Sequence, residues 1–368
     1  MAAKQFNVGI VGYGLSAKVF HIPFIALTAS LRLHSIVQRS PAPGNSVLED
    51  HPQIKHFTSV EPMLADSEVD VVILSTPPNT HYTLARDALG AGKHVLVEKP
   101  FVPTSKEADE LAALAREKGL VLCVYQNRRW DSDFVTVQQL LKDDKLGRIV
   151  EFETHFDRFR LEKPTTWKGT LSMNQGGGAI YDLGTHLLDQ VFVLFGMPST
   201  VSGKFVNQRE GRIITGDNTE EPDSVTAILT YNDTGLVVFV RIGVVSVETK
   251  QPRYWIRGTK GSYRKFGLDP QEDQLRGGMQ ATDANFGRED ESKFGTLCTI
   301  NNGKFEENVC PTVQDPPQTY LRFYEMFAKA VETGKEEDVP VPATQAAQVL
   351  RIIEAVRESA RSGKEVAP

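Results

Sequence analysis

Short apolar runs alternate with stretches of helical spacing along the first 125 residues of the chain. The predicted strands are residues 7–11, 31–37, 69–75, 94–97 and 120–125, and the predicted helices between them are residues 16–27, 60–64, 80–90 and 105–118. Thr104 or Ser105 is the predicted N-cap of the last of these helices, and Gly119 its C-cap. This order predicts an α/β fold that begins with a doubly wound parallel sheet.

The pattern changes after Asp131. One helix at residues 134–141 is followed by segments of two-residue alternation, and the chain ends in helical patterns at 319–331 and 343–362. The predicted strands are residues 149–160, 200–209, 223–231, 236–245, 254–257 and 261–266. Alternation of this kind is typical of an antiparallel sheet. Because 368 residues exceed one ordinary core, we predict two domains, residues 1–127 and 128–368.

Composition excludes several classes of function. The net charge of −6 and the lack of a dense basic segment argue against a nucleic-acid partner. No run approaches the roughly 20 apolar residues of a membrane span, so we expect no membrane partner. The three cysteines form no CxxC pair, which favours reduced thiols over a zinc site. We expect a cytoplasmic enzyme that acts on a small molecule and holds no metal.

A glycine-rich turn, Gly12-Tyr13-Gly14-Leu15-Ser16-Ala17, follows the first predicted strand and opens a helix. In this context Gly12 permits a tight turn, Gly14 lets the backbone approach a pyrophosphate, and Ala17 allows close packing of helix and strand. Leu15 and Ser16 begin the helix, whose N-terminus favours phosphate. The turn predicts a dinucleotide site, and the alternative is a purely structural turn.

The second predicted strand is followed by Arg39 and Ser40, where an NAD-preferring site carries an acidic residue for the ribose 2′-hydroxyl. A guanidinium pairs with a 2′-phosphate, and a serine hydroxyl donates a hydrogen bond to it. We therefore predict that NADP(H) is preferred. Alternatively, Arg39 stacks over the adenine, and both NADP and NAD bind.

Two further segments follow strands at the same predicted sheet edge. The first contains Ser75, Thr76, Pro77, Asn79 and His81, which we expect beside the coenzyme, with helix capping as the alternative for Asn79 and a structural role for His81. The second is Glu98-Lys99-Pro100, whose Glu98 and Lys99 we also expect beside the coenzyme. Ligands of open α/β sheets lie beyond the carboxyl ends of the strands, so Lys99 is expected to meet the ligand. The alternative is a solvated surface lysine.

Asp182 and His186 are four residues apart and share a face if their segment is helical. A carboxylate beside an imidazole suits acid–base chemistry, because histidine exchanges a proton near neutral pH. In the alternative interpretation Asp182 caps a helix after the triple glycine 176–178, and His186 is a satisfied core histidine. No third ligand at metal-site spacing follows, which disfavours a metal centre.

These residues resemble the glucose-fructose oxidoreductase, inositol dehydrogenase and rhizopine catabolism family of NAD(P)-dependent oxidoreductases. The resemblance rests on the glycine turn, on Glu98-Lys99-Pro100 and on Asp182-Leu183-Gly184-Thr185-His186, in that order. It implies a Rossmann domain followed by an α/β domain with a large open, mainly antiparallel sheet that forms a homodimer or homotetramer. It also implies that Lys99 bonds the reacting hydroxyl, that Asp182 orients the substrate, and that His186 is the general acid–base.

The segments 125–130, 166–167 and 271–273 are similar to the NADP-dependent scyllo-inositol dehydrogenase branch of that family. The resemblance implies that Asn127 and Trp167 face the substrate or nicotinamide; the alternatives are a strand-end turn and a core aromatic. We further expect Arg128, Arg158 and Tyr181 to contact the substrate. For Arg128 the alternative is an ion pair with a nearby aspartate. The expected substrate is a cyclic polyol or sugar. Oxidation of an aldose to a lactone, or a non-catalytic regulator that binds NADP, are the alternatives.

Overall fold

A computed structural model describes residues 4–216, 220–313 and 317–368. The chain divides into two compact units. The first consists of Met1–Asn127, Glu272–Phe286 and Thr319–Ala347, and the second of Arg128–Gln271, Gly287–Gln318 and Gln348–Pro368. The predicted boundary lies between residues 127 and 128. The first unit also contains two later segments, Glu272–Phe286 and Thr319–Ala347, which the prediction assigned to the second domain.

The first unit contains a six-stranded parallel sheet in the order β3-β2-β1-β4-β5-β6. Its strands are β1 (Phe6–Val11), β2 (Leu31–Val37), β3 (Lys55–Phe57), β4 (Val71–Leu74), β5 (His94–Glu98) and β6 (Leu122–Tyr125). The helices among them are α1 (Ile22–Leu27), α2 (Val47–Asp50), α3 (Val60–Ala65), α4 (His81–Gly90) and α5 (Ser105–Lys118). The predicted doubly wound α/β fold is confirmed, and β3, a short edge strand, was not predicted.

The register of this sheet brings four strand ends to one edge. Val11 of β1 lies beside Val37 of β2 and Leu74 of β4, and Leu74 lies beside Val97 of β5. Strands buried on both faces are apolar throughout, and Val8, Ile10 and the whole of β4 are buried. The segments that follow β1, β2, β4 and β5 therefore start at the same carboxyl edge, where open α/β sheets bind their ligands.

The second unit contains a nine-stranded sheet in the order β15-β14-β13-β12-β7-β11-β10-β8-β9. Its strands are β7 (Ile149–Asp157), β8 (Thr200–Asn207), β9 (Arg212–Ile214), β10 (Ser224–Tyr231), β11 (Leu236–Gly243), β12 (Pro252–Gly258), β13 (Gly261–Phe266), β14 (Gly295–Asn301) and β15 (Lys304–Cys310). Neighbouring strands are antiparallel except β7 and β11, which are parallel. The mainly antiparallel sheet is confirmed, and β9, β14 and β15 were not predicted.

The remaining helices are α6 (Ser132–Lys142), α7 (Trp167–Thr170), α8 (Thr185–Phe195), α9 (Gln271–Arg276), α10 (Tyr320–Thr333) and α11 (Ala343–Ser362). Helix α8 covers one face of the large sheet: the ring of Phe195 lies 5.2 Å from that of Phe152 on β7 and 6.0 Å from that of Tyr231 on β10. Among the described residues, no helix has the length and apolar character that crossing a membrane requires.

The start of α5 decides between the two expected N-caps. The Thr104 hydroxyl accepts a hydrogen bond from the Glu107 amide at 3.2 Å, and the Glu107 carboxylate accepts one from the Thr104 amide at 3.1 Å. This reciprocal capping box satisfies two amides that the helix leaves unpaired. Gly119 ends the helix with a φ of 64°, as predicted.

The Thr104→Ala substitution is expected to lower the free energy of unfolding by about 1 kcal/mol, the usual contribution of an N-cap hydroxyl. The matched control is Ser105→Ala, because Ser105 is the first residue inside the helix and not its cap. Urea unfolding followed by far-ultraviolet circular dichroism measures both. Equal losses for the two variants would contradict the assignment of Thr104 as the cap.

Candidate active site

The glycine turn after β1 has the geometry of a phosphate-binding turn. Gly12 has a φ of +101°, and a Cβ at this position would lie 2.3 Å from the Ser75 carbonyl oxygen, so glycine is required. A Cβ at the exposed Gly14 would meet no atom within 4 Å, which leaves open space beside its backbone. Ala17 is wholly buried, as close packing of helix and strand requires.

Bonds to α2 hold this turn in place. The Tyr13 hydroxyl donates a hydrogen bond to Asp50 at 2.7 Å, and Lys18 contacts the same carboxylate at 3.2 Å. The Lys18 ammonium also lies 4.2 Å from the centre of the Tyr13 ring. Burial, together with the bond to Asp50, raises the pKa of Tyr13, so this phenol stays protonated as a donor. Sequence reasoning missed this contact, because nothing in the sequence pairs residue 13 with residue 50.

Arg39 and Ser40 follow β2 with exposed side chains. The preceding Gln38 turns inward, where its amide accepts a hydrogen bond from the Val47 amide at 2.9 Å and donates one to the Asn45 carbonyl at 2.7 Å. The guanidinium and hydroxyl are therefore the first side chains available to a ligand beyond this strand. Neither carries the negative charge that disfavours a 2′-phosphate.

The segment after β4 has one polar atom that fits a ligand. Ser75 Oγ is buried and has no hydrogen-bond partner among the described residues, and the Ser75 backbone carbonyl lies beside Gly12. A buried hydroxyl without a partner is costly, and a bound polar group would satisfy it. The Thr76 hydroxyl lies 2.7 Å from the Thr80 hydroxyl, which donates to the Pro77 carbonyl. This bonding stiffens the loop.

Asn79 and His81, at the end of that loop, differ in burial. Asn79 is exposed within the 3₁₀ turn Pro78–Thr80, and its side chain caps no helix. His81 is wholly buried, with Nε2 2.8 Å from the Thr76 carbonyl oxygen and Nδ1 3.0 Å from those of Pro100 and Phe101. His81 therefore joins the loop after β4 to the segment after β5, which agrees with the structural alternative considered for it.

Lys99 directly follows β5 at the carboxyl edge of the sheet and is half-buried. The Lys99–Pro100 peptide bond is cis, the less common form of such bonds. The Glu98 carboxylate accepts a hydrogen bond from the Lys99 amide at 3.0 Å and another from the Ser16 hydroxyl on the glycine-turn helix. The segment that carries Lys99 is thus bonded directly to the helix that begins at the glycine turn.

In the second unit, Asp182 belongs to a π turn, Ile180–Gly184, that precedes α8. Lys168 donates a hydrogen bond to its carboxylate at 2.8 Å. Asp182 and Lys168 line a cavity of about 190 Å³ together with Arg158, Arg209 and Asp223. Arg209 pairs with Asp223 at 2.9 Å. Positively and negatively charged side chains that can form hydrogen bonds therefore line the cavity. Such a lining suits a hydroxyl-rich ligand.

His186 lies in the first turn of α8 and is 5 % exposed. Its ring is inclined by 28° to that of Phe156, with centroids 6.3 Å apart. The guanidinium groups of Arg128 and Arg158 lie 4.9 and 5.0 Å from the centre of the same phenyl ring. Three of the predicted residues, His186, Arg128 and Arg158, therefore gather around Phe156, which sequence reasoning missed.

The two consecutive arginines have different partners. Arg128 donates to Asp131 at 3.0 Å, whereas Arg129 makes a two-pronged contact with Asp189, with distances of 2.8 and 2.7 Å. Burial and the neighbouring Asp269 carboxylate raise the pKa of Asp131, and the positive charge of Arg128 opposes this rise by favouring the ionised carboxylate. The ion-pair alternative considered for Arg128 therefore has structural support, and Arg129 fixes the helix that carries His186.

Three other predicted residues, Tyr181, Trp167 and Asn127, are buried or half-buried. Tyr181 is wholly buried and its hydroxyl accepts a hydrogen bond from Arg357 at 3.0 Å. Trp167, the first residue of α7, is half-buried, with the Lys168 ammonium 5.5 Å from its ring centre. Asn127 is buried in the 3₁₀ turn Asn127–Trp130. Their assignments as ligand contacts stay predictions.

Two family models cover nearly the whole chain. The NAD-binding Rossmann fold of an oxidoreductase family matches residues 6–126, and the C-terminal alpha/beta domain of that family matches residues 138–367. The oxidoreductase YdgJ of Escherichia coli is 38% identical over 98% of this chain and 97% of its own length.

A relative and a solved structure from Bacillus subtilis are also similar to this chain. IolW, a scyllo-inositol 2-dehydrogenase (NADP(+)), is 34% identical over 98% of this chain and 95% of its own length. The solved structure of the oxidoreductase YvaA superimposes with a TM-score of 0.88 and 32% identity, covering 100% of this chain and 99% of the other. The chain therefore belongs to the glucose-fructose oxidoreductase, inositol dehydrogenase and rhizopine catabolism family of NAD(P)-binding oxidoreductases.

Proposed function

We propose that the chain is an NADP-preferring dehydrogenase of a cyclic polyol or sugar, with an inositol and its inosose as the leading substrate pair. The observation that carries the proposal is the shared edge of the first unit's sheet. There the Gly12 turn, the buried Ser75 hydroxyl and Lys99 follow strands that are in register. A cation placed where a coenzyme binds suits chemistry in which a hydroxyl develops negative charge.

The proposed chemistry uses one group for each task. When bound, the nicotinamide would take a hydride from the carbon that carries the reacting hydroxyl during oxidation and would return it to that carbon during reduction. His186 accepts the hydroxyl proton during oxidation and donates it during reduction. Lys99 stabilises the negative charge that develops on the oxygen, and Asp182 accepts a hydrogen bond from a neighbouring substrate hydroxyl. The hydrogen bond that Lys168 donates to Asp182 orients this carboxylate for the task.

The coenzyme would be held mainly by backbone and small side chains of the first unit. Gly12, Gly14 and the helix start at Leu15 and Ser16 would surround the pyrophosphate. Ser75, Thr76 and Pro77 would lie along the ribose and nicotinamide. Similarity to IolW, whose name specifies NADP(+), supports the preference for NADP over NAD that Arg39 and Ser40 suggest. The same similarity supports an inositol-type substrate.

The Arg39→Ala substitution is expected to weaken NADPH binding by about 10- to 100-fold, because a charge-assisted contact with the 2′-phosphate contributes about 1.5–3 kcal/mol. NADH binding should change less than about threefold, since NADH has no 2′-phosphate. Quenching of intrinsic fluorescence measures both dissociation constants. Arg32→Ala is the control, because Arg32 lies on β2, the strand that Arg39 follows, and bonds Asn7. Equal losses for NADPH and NADH would refute recognition of the 2′-phosphate by Arg39.

A substrate panel followed by NADPH absorbance tests the proposed function directly. The panel contains inososes, sugar ketones and lactones in the reducing direction, and inositols and aldoses with NADP in the oxidising direction. Steady turnover of an inosose with its inositol supports the leading pair. Turnover of aldoses alone would replace it by an aldose dehydrogenase. Tight NADPH binding without any turnover would favour a ligand-sensing regulator.

We also propose that the chain forms a homodimer through the face of the large sheet that α8 leaves uncovered. Trp255 and Val309 lie in one row across β12 to β15 on that face, and they are 45% and 71% exposed. Nearby, the paired Ile300 and Phe305 are 53% and 82% exposed. Exposed apolar area of this kind is typical of an interaction surface.

The Trp255→Glu substitution is expected to convert the dimer into a monomer, because a carboxylate buried at an apolar contact costs several kcal/mol. Light scattering coupled to size-exclusion chromatography measures the mass. Leu48→Glu in the first unit is the control, because Leu48 is also exposed and apolar. A wild-type monomer, or a variant that keeps its dimeric mass, would contradict the proposed surface.

A further inference from the structure

A buried histidine contacts the residue that precedes Lys99. His21 is wholly buried and is the last residue of a π turn, Ala17–His21, in the helix that follows the glycine turn. Its Nε2 lies 3.1 Å from Glu98 Oε1, and its Nδ1 lies 2.5 Å from the Tyr324 hydroxyl. Both ring nitrogens therefore have polar partners inside the first unit. Single turns of π-helix are rare in proteins, and those that occur are frequently found at functional sites.

Glu98 is the centre of this arrangement. One carboxylate oxygen accepts hydrogen bonds from Ser16 and His21, and the other accepts the amide of Lys99. Because an ionised carboxylate only accepts, Nε2 of His21 carries the shared hydrogen. Burial raises the pKa of Glu98, but the bond and charge of His21, with Ser16 and Lys99, outweigh burial and hold this pKa below its ordinary value.

We propose that His21 is a positioning residue for Lys99 and for the coenzyme-binding turn, acting through Glu98. The inference rests on the proposed function of Lys99. His21 orients the carboxylate so that one oxygen bonds the Lys99 amide while the other bonds Ser16 on the helix after the glycine turn. Tyr324 fixes the opposite edge of the imidazole, and its own hydroxyl lies 3.2 Å from the Phe20 carbonyl oxygen.

This role has two measurable consequences. Without the Nε2–H group, the Glu98 carboxylate loses a donor in a buried place and no longer has a single orientation. Lys99 then loses its fixed position, which lowers the turnover number. Ser16 loses its fixed partner as well, which weakens NADPH binding. The Michaelis constant for the polyol should change little, because the proposal gives His21 no contact with that substrate.

Two amide variants separate this role from packing. In His21→Gln the side-chain amide reaches the place of Nε2 and can still donate to Glu98. In His21→Asn the shorter amide reaches only the place of Nδ1, beside Tyr324. We expect His21→Asn to lower the turnover number about 10- to 100-fold, the range of one hydrogen bond to a charged group. NADPH binding should weaken about fivefold or more, whereas His21→Gln should keep both within about threefold of wild type.

The same Asn and Gln substitutions at His94 are the control, because His94 begins β5 at the end opposite to Lys99. Thermal unfolding is recorded for all four variants. Equal losses of turnover in the two His21 variants, or no loss in either, would overturn the proposal. If the wild type binds NADPH but turns over no substrate, the proposed function fails and the contrast in NADPH affinity alone decides. A wild type that binds neither NADPH nor NADH overturns both proposals.

Discussion

The Lys99→Met substitution is expected to lower the turnover number about 1000-fold while the dissociation constant of NADPH changes less than about threefold. Methionine keeps the length and much of the volume of lysine but removes the ammonium group. A preorganised donor at a developing oxyanion contributes about 2.7–4 kcal/mol to the transition state, which corresponds to a factor of 100 to 1000 in rate. Because lysine also carries a positive charge, we expect a loss of rate near the upper end of this range.

The two constants change differently because Lys99 acts on the reacting hydroxyl, whereas the coenzyme is held by the turn at Gly12 and by its neighbours. Single-turnover rates with NADPH and the best substrate of the panel measure the chemical step, and fluorescence titration measures NADPH binding. The matched control is Lys106→Met, since Lys106 is exposed on α5. Added methylamine should also restore part of the rate of Lys99→Ala. A Lys99→Met variant within about tenfold of the wild-type rate would remove Lys99 from the mechanism.

The placement of Lys99 shows what the sequence could reveal. Central strands of a parallel sheet are buried on both faces and appear in the sequence as short apolar runs, so β1 and β5 were predicted within one residue. The rule that ligands lie beyond the carboxyl ends of such strands then selects the residue after β5. Capping chemistry fixed the two ends of α5, and the predicted bounds of that helix agree with the structure.

The strands that were missed lack the property on which that reasoning depends. Residues 304–309 of β15 are exposed, so no burial pattern marks this strand. Its turn did carry a usable indication, because Asn302-Gly303 joins β14 to β15 with φ values of 49° and 76°. Asn-Gly is the sequence typical of a two-residue hairpin turn. Strands β3 and β9 have three residues each, too few to show any period.

The contacts that organise the candidate site were beyond sequence reasoning for another reason. Glu98 and His21 are 77 residues apart, and Arg129 and Asp189 are 60 apart. One sequence with many charged residues does not indicate which of them meet. The spacing of Asp182 and His186 was also interpreted for a regular helix, whereas Ile180–Gly184 is a π turn whose wider repeat changes which residues share a face.

The His186→Asn substitution is expected to lower turnover about 100- to 10,000-fold, the range usual for loss of a general acid–base. Its effect on pH dependence is more specific. During oxidation the imidazole must be neutral to accept the hydroxyl proton, so the wild-type rate should rise with pH between about 5 and 8. During reduction the imidazolium must donate, so that rate should fall over the same interval.

In His186→Asn both profiles should become flat across this interval, because asparagine neither gains nor loses a proton. His34→Asn is the control, since His34 also contacts a carboxylate, that of Asp66 at 3.2 Å, but has no role in the proposed chemistry. Rates of the chemical step in both directions, measured at saturating NADP or NADPH, give the two profiles. If the residual activity of His186→Asn keeps the wild-type inflection, another group supplies the proton, and His186 is a packed histidine beside Phe156.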